Sequence, residues 1–259
     1  MSDVTVIDLT PENIAEYGVC GYKDVKKHVE LRRKIDWFKK YYPKGLRIKA
    51  VLTKEGEYQG MLEYMPGRYA HRPVDAGGYM FIQCIFVGFR KEFKGHGYAS
   101  SLIDACISDA KNAGMKGVAV VTRKGPFMAK KDIFVKKGFV MVDEAKPDFE
   151  LMALKFDPGA ENPSFKADIE KNCEKYPEGL SIFRSAQCPY SEKNVAAIME
   201  TASEKYGIKA RLVEMEDEES VQNAPSPFGT FCIMYNGKVI SHHPISNTRF
   251  ENIMDKIIK

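Results

Sequence analysis

Lys94-Gly95-His96-Gly97-Tyr98-Ala99 is the stretch on which the fold turns. It follows an apolar run at 80–87 and precedes a helical pattern with apolar positions at Ala99, Leu102, Ile103, Cys106, Ile107 and Ala110. That order predicts a strand, a glycine-bearing turn and a helix N-terminus. Such a turn presents unpaired backbone N–H groups and the positive end of a helix dipole. Glycine lets the backbone close on a ligand without a Cβ in the way. The guest that fits is a phosphate or pyrophosphate.

Working outward, a strand-like apolar run covers 117–122 (Gly-Val-Ala-Val-Val-Thr), after a helix stop at Gly114. A shorter helical pattern follows at 128–137 and closes at Gly138-Phe139, ahead of strands at 140–143 and 149–156. Upstream, 4–9, 46–53 and 58–65 read as strands, the last two joined by the turn Glu55-Gly56-Glu57. Neither a Walker A loop nor a Rossmann fingerprint is present.

Read from Lys94, the segment basic-x-x-Gly-x-Ala resembles the Q/R-x-x-G-x-G/A signature of the GNAT acetyltransferase superfamily. Lys94 stands where Gln or Arg is usual, and Ala99 takes the final small position. The Lys-Lys-Gly-Phe close and the strand and helix order over 1–157 are similar to that family too. The resemblance implies a mixed sheet flanked by helices and acetyl-CoA as cosubstrate. It implies that the amides of Lys94, Gly95, His96, Gly97, Tyr98 and Ala99 hold the pyrophosphate. It also implies that backbone N–H groups at Ile85, Phe86 and Val87 align the pantetheine arm between two splayed strands. Many members place a tyrosine in the last helix as the acid for the leaving sulfur, and here that position is Phe134. Glu63, Cys84, Glu92 and His96 are conceivable proton acceptors. Their simpler readings are an exposed strand residue, a buried small hydrophobe, a surface charge and a neighbour of the pyrophosphate. No catalytic base is assigned.

Composition bounds the rest. At 259 residues and 44% hydrophobic the chain can fill two domains. No apolar run approaches the ~20 residues of a membrane span, and the Met1-Ser2-Asp3 start is unlike a signal peptide. The expectation is a cytoplasmic protein with no membrane partner. Its six cysteines, irregularly spaced, suggest neither a disulfide framework nor a zinc site. A net charge of +4 does not imply a nucleic-acid partner. Lys26, Lys27, Arg32, Arg33, Lys34, Lys39, Lys40 and Lys44 cluster on a helical stretch and read as a solvated face that also helps attract a polyanion.

Residues 158–163 interrupt all periodicity and read as a linker between domains at 1–157 and 164–259. Behind it come a strand at 180–184, Cys188-Pro189-Tyr190-Ser191, a helix to about Tyr206, a strand at 209–214, a hairpin around Asn236-Gly237, and a closing helix at 247–258. Cysteine at a helix start has its thiolate favoured by the dipole. This order resembles a thioredoxin-like α/β fold, and the tetrad resembles the monothiol form of the glutaredoxin motif, with Cys188 the thiol candidate. In that fold a cis-proline precedes the hairpin; here Gly229 holds the slot, with Pro225 and Pro227 just before it. His242-His243 point opposite ways on a strand, so no metal is expected.

Together the two halves resemble bacterial YoaP-type proteins across the chain. That resemblance implies an N-acetyltransferase using acetyl-CoA on a small-molecule or peptide amine, with an accessory thioredoxin-like domain. Two alternatives stay open. One is a thiol-redox protein using Cys188 with a CoA-binding front domain, and the other a non-catalytic CoA-binding module. The substrate pocket is expected from 17–44 and 67–78.

Overall fold

The computed structural model describes residues 4–88, 93 and 95–258. Lys94, Glu92 and the first three residues, which carry expectations above, lie outside the described residues. The chain divides into two compact units, 1–70 with 74–165, and 71–73 with 166–259.

The first unit is built on a seven-stranded sheet. Its elements run β1 (Val4–Leu9), α1 (Ile14–Tyr17), α2 (Val29–Tyr41), β2 (Arg47–Thr53), β3 (Tyr58–Pro66), β4 (Val74–Asp75) and β5 (Tyr79–Val87). They continue with α3 (Tyr98–Asn112), β6 (Gly117–Arg123), α4 (Asp132–Val135), β7 (Val140–Ala145), β8 (Phe149–Lys155) and β9 (Ser164–Phe165). The sheet order is β1-β2-β3-β5-β6-β8-β7, and β4 pairs separately with β9. The pair β5–β6 is parallel, whereas the sheet's other ladders are antiparallel. Ser164 and Phe165, placed behind the linker by the sequence reading, thus pair within the first unit.

One feature of this sheet positions everything else. The β5–β6 ladder runs from Tyr79↔Gly117 to Ile82↔Val120 and stops there. β5 continues to Val87 on β3 alone, and β6 to Arg123 on β8 alone. The register of β3 on β5 jumps from Glu63↔Cys84 to Tyr64↔Ile82, so Gln83 is an extra residue, a bulge that re-aims the strand where it leaves β6.

The two faces carry different helices. Leu62, Tyr64, Met80, Ile82, Val118 and Val120 cluster with Leu102, Ile103, Cys106 and Ala110 of α3, the apolar stripe of that helix. Glu63 lies between Leu62 and Tyr64 and must point to the opposite face. There it meets Lys34 of α2, and both side chains are fully buried. The Lys34 ammonium also lies 4.1 Å from the Trp37 ring centre. This corrects two expectations: Glu63 is not an exposed strand residue, and Lys34 does not belong to a solvated face. The α2 stripe of Leu31, Ile35, Phe38 and Tyr41 draws Lys34 inward, since the buried positions recur at helical spacing.

The helix expected at 128–137 is cut to one turn, α4. The Arg123 N–H donates to the Ala129 carbonyl at 3.3 Å, which ties the preceding residues to the end of β6. Phe127 adopts a positive φ of 64° before it.

The second unit holds α5 (Ile169–Cys173), β10 (Leu180–Arg184), α6 (Val195–Tyr206), β11 (Arg211–Glu214), α7 (Glu218–Gln222), β12 (Phe231–Tyr235), β13 (Lys238–Ser241) and α8 (Asn247–Ile257). Its sheet order is β11-β10-β12-β13, with β10–β11 parallel and the other two ladders antiparallel. The hairpin turns at Asn236 and Gly237, both at positive φ (46° and 76°), as an Asn-Gly turn requires. Among the described residues the cis peptide is Lys146–Pro147, so Pro225 and Pro227 both follow trans bonds. The chain instead turns at Gly229 (φ 75°), where an added Cβ would come within 2.9 Å of the Arg72 Cα. Among the described residues no helix is long and apolar enough to cross a membrane.

The ion pair gives the first prediction. Removing one partner of a buried pair leaves a charge without compensation and costs about 3–5 kcal/mol. Glu63→Gln and Lys34→Met are each expected to lower the urea midpoint strongly, and the double variant Lys34→Met with Glu63→Leu to recover most of the loss. Additive losses in the double variant would show that the two charges do not act as a pair.

Candidate functional site

Two cavities flank the end of β5, one on each face of the sheet. The first, about 370 Å³, is lined by Val87, Phe93, Gly95, His96, Gly97, Tyr98, Ala99, Ser100, Ile133, Lys136 and Lys137. It gathers the sequence-expected residues Val87, Gly95, His96, Gly97, Tyr98 and Ala99. Gly95 and Gly97 adopt φ of 82° and 81°, a region L side chains rarely enter, and an added Cβ at either would meet no atom within 4 Å. The loop is therefore glycine-dependent by conformation, and the space beside it is open.

Gly97 is the N-cap of α3, and the first intrahelical donor is the Ser101 N–H, 2.9 Å from the Gly97 carbonyl. The N–H groups of the first helical turn precede it and lie outside the i to i−4 ladder. With the dipole of a 15-residue helix behind them, they favour an anion. The His96 ring stacks on Tyr98 with centres 5.7 Å apart. Lys137 is held by Asp104 at 2.6 and 2.7 Å, and the exposed Lys136 adds a second positive charge to the same wall. The sequence reading missed both lysines as lining residues. Their signal was the Lys-Lys-Gly-Phe close, read there as a helix ending.

The strand end supplies the second part of the site. The Gly88 N–H donates to the Gln59 carbonyl at 2.6 Å, toward β3. Backbone direction alternates along a strand, so Phe86 turns its N–H to β3 while Ile85 and Val87 turn theirs away, into the gap left by β6. Of the three expected donors, Ile85 and Val87 face the gap. Phe134 is fully buried, edge-on to Phe139 at 5.4 Å, and offers no proton donor. Cys84 is half-buried rather than a buried hydrophobe.

Cys188 belongs to the second unit and to a different local structure from the one expected. It is the N-cap of a three-residue 3-10 turn, Pro189–Ser191, and α6 begins only at Val195. The Ser191 hydroxyl lies 2.9 Å from the Ser185 carbonyl and 2.7 Å from that of Cys188, which fixes the turn. The thiol therefore does not cap a long helix, and the dipole argument for an acidic thiolate is corrected. No disulfide links the six cysteines. His242 Nδ1 is 2.8 Å from the Ser226 hydroxyl, and His243 Nδ1 is 2.9 Å from the Pro244 carbonyl. Among the described residues no three His, Cys, Asp or Glu side chains form a metal-sized group.

The chain is similar to several known proteins. A Bacillus subtilis (strain 168) protein named "Uncharacterized N-acetyltransferase YoaP" is 29% identical over 254 residues, 97% of this chain and 98% of the relative. The YoaP-like family matches residues 210–252. Among solved structures, a GNAT family acetyltransferase from Brucella melitensis in complex with acetyl-CoA is 15% identical over 64% of this chain and 98% of that one, with a TM-score of 0.40. YhbS of Escherichia coli, a GNAT family N-acetyltransferase in complex with CoA, is 12% identical over 62% and 89%, also with a TM-score of 0.40. At these scores neither structure assigns an activity.

The thiols give a second prediction. Burial pushes Cys106 and Cys232 well above the ordinary thiol range. Both are expected to resist iodoacetamide at pH 8 in the folded protein and to react on unfolding, as read by peptide mass spectrometry. Rapid native labelling of either would contradict the packing described.

Proposed function

We propose that this chain is an acetyl-CoA-dependent N-acetyltransferase acting on a small-molecule or peptide amine, with a thioredoxin-like accessory domain behind it. The observation that carries the reading is the meeting of a glycine loop, a helix N-terminus and a parted strand pair at one cavity. Similarity to a protein named an N-acetyltransferase, along almost the whole chain, supports it. The β-α-β-α-β-β-α order of the rear sheet, with its one parallel ladder, supports the accessory domain.

The residues fit the cosubstrate. Gly95, His96, Gly97, Tyr98 and Ala99 would hold its pyrophosphate, with Lys136 adding charge at the rim. When bound, acetyl-CoA supplies a thioester: the amine lone pair forms the C–N bond, the C–S bond breaks toward sulfur, and the amine proton ends on the thiolate. The Ile85 and Val87 amides are oriented donors in the gap. Donors fixed in advance stabilise developing charge without reorganising. Holding the amine beside the gap contributes through effective molarity. Phe134 gives no proton, so the thiolate departs without an acid from that position.

The test is calorimetric titration of acetyl-CoA into the protein. Gly97→Trp is expected to abolish binding by filling the anion site. Gly114→Trp, also at positive φ in open space but at the far end of α3, is expected to keep it and so controls for backbone strain. Cys188→Ser is expected to leave binding and acetyl transfer unchanged. Equal binding by wild type and Gly97→Trp would refute the loop assignment, and transfer lost with Cys188→Ser would favour thiol chemistry.

A further inference from the structure

The second cavity at the end of β5, about 210 Å³, is lined by Gly21, Lys23, Glu57, Tyr58, Gln59, Phe86 and Gly88. It opens on the face that carries α2, whereas the loop cavity opens on the face that carries α3. Consecutive residues line them, Phe86 one and Val87 the other. Neighbouring side chains on a strand point to opposite faces, and their Cα atoms are about 3.8 Å apart. β6 has already left β5 at this level.

The lining has a distinct chemistry. Tyr58 and Phe86 form an angled aromatic wall, with ring centres 5.9 Å apart and planes at 50°. Gly21 and Gly88, at φ of 85° and 53°, present backbone without side chains. Lys23 and Glu57 are both exposed and of opposite sign at the rim, so their charges offset each other there. Among the described residues Glu57 is the one acid in the lining, and the nearby Glu63 is committed to Lys34. A polyamine or a basic peptide, which needs several carboxylates, is poorly served. An aromatic ring with a short amine arm suits the volume, the flat glycine walls and the aromatic wall.

Resting on the acetyltransferase reading, we infer that this second cavity is the acceptor site and that its substrate is a small primary amine carried on an aromatic ring. The ring lies against Tyr58 and Phe86, and the amine points along Phe86 toward the gap, where the transfer written above takes place. Tyr58 shapes the wall as a neutral phenol. Burial pushes its hydroxyl well above the ordinary phenol range.

The test uses the full chain saturated with acetyl-CoA's product, CoA, and two probes, 2-phenylethylamine and butylamine. Binding is followed by ligand-observed NMR and turnover by release of CoA thiol from acetyl-CoA. Wild type is expected to bind and acetylate 2-phenylethylamine at least about tenfold better than butylamine. Tyr58→Phe keeps that preference. Tyr58→Ala loses it while still binding acetyl-CoA in a calorimetric control, which also reports that the variant is folded. Equal use of the two amines by wild type, or no use of either, overturns the inference while acetyl-CoA binding leaves the broader reading standing. Absence of acetyl-CoA binding to wild type overturns both.

Discussion

The parting of β5 and β6 after Ile82 and Val120 is the constraint on which the rest of the first unit depends. Each strand keeps a partner on its outer side, so the sheet survives the parting. The inner edges beyond that point still carry N–H and C=O groups that need partners. A sheet that opens in its middle, rather than at an edge, makes a slot whose walls are rows of backbone donors and acceptors. The Gln83 bulge allows β5 to stay on β3 while changing direction. α3 then starts close to the mouth of the slot, and its first turn and the glycine loop line the cavity there. Helix start and slot are consequences of the same local geometry.

The other face is held by a different kind of interaction. The Lys34–Glu63 pair, wholly buried and capped by Trp37, joins α2 to the middle of β3. Burying two charges gives little net stability, because desolvation offsets their attraction. What the pair does supply is position, since a slipped helix would strand a charge in the core. Glu63 sits directly opposite Cys84 on β5, one residue from the bulge. The pair thus fixes α2 against the part of the sheet that opens.

Much of this was legible in the chain. The strands at 58–65 and 117–122 follow from their patterns because buried strands need little beyond local apolar runs and turn residues. The glycine loop was legible because Gly95 and Gly97 lie between a strand and a helix. Lys34 and Glu63 were not, because each looks like surface alone and only their meeting across 29 positions of sequence makes burial tolerable. The helix at 128–137 failed for a related reason. Its pattern is helical, but a tertiary bond from Arg123 to Ala129 claims part of it. Cys188 reads as a helix-start thiol in one dimension, yet a 3-10 turn fixed by Ser191 intervenes before α6.

The assignment of Phe86 to one face and Val87 to the other is the most finely balanced part of the site. Strand periodicity is two, so a slip of one residue would exchange them. Phe86 would then enter the loop cavity, and Val87 would replace the aromatic wall. Two features hold the register. Gly88 is bonded to Gln59 on one side, and the extra residue at Gln83 ends the strand's earlier register on the other. Between them lie Cys84, Ile85, Phe86 and Val87, a short segment pinned at both ends. The placement of Phe86 and Val87 is thereby set by backbone bonds and one inserted residue.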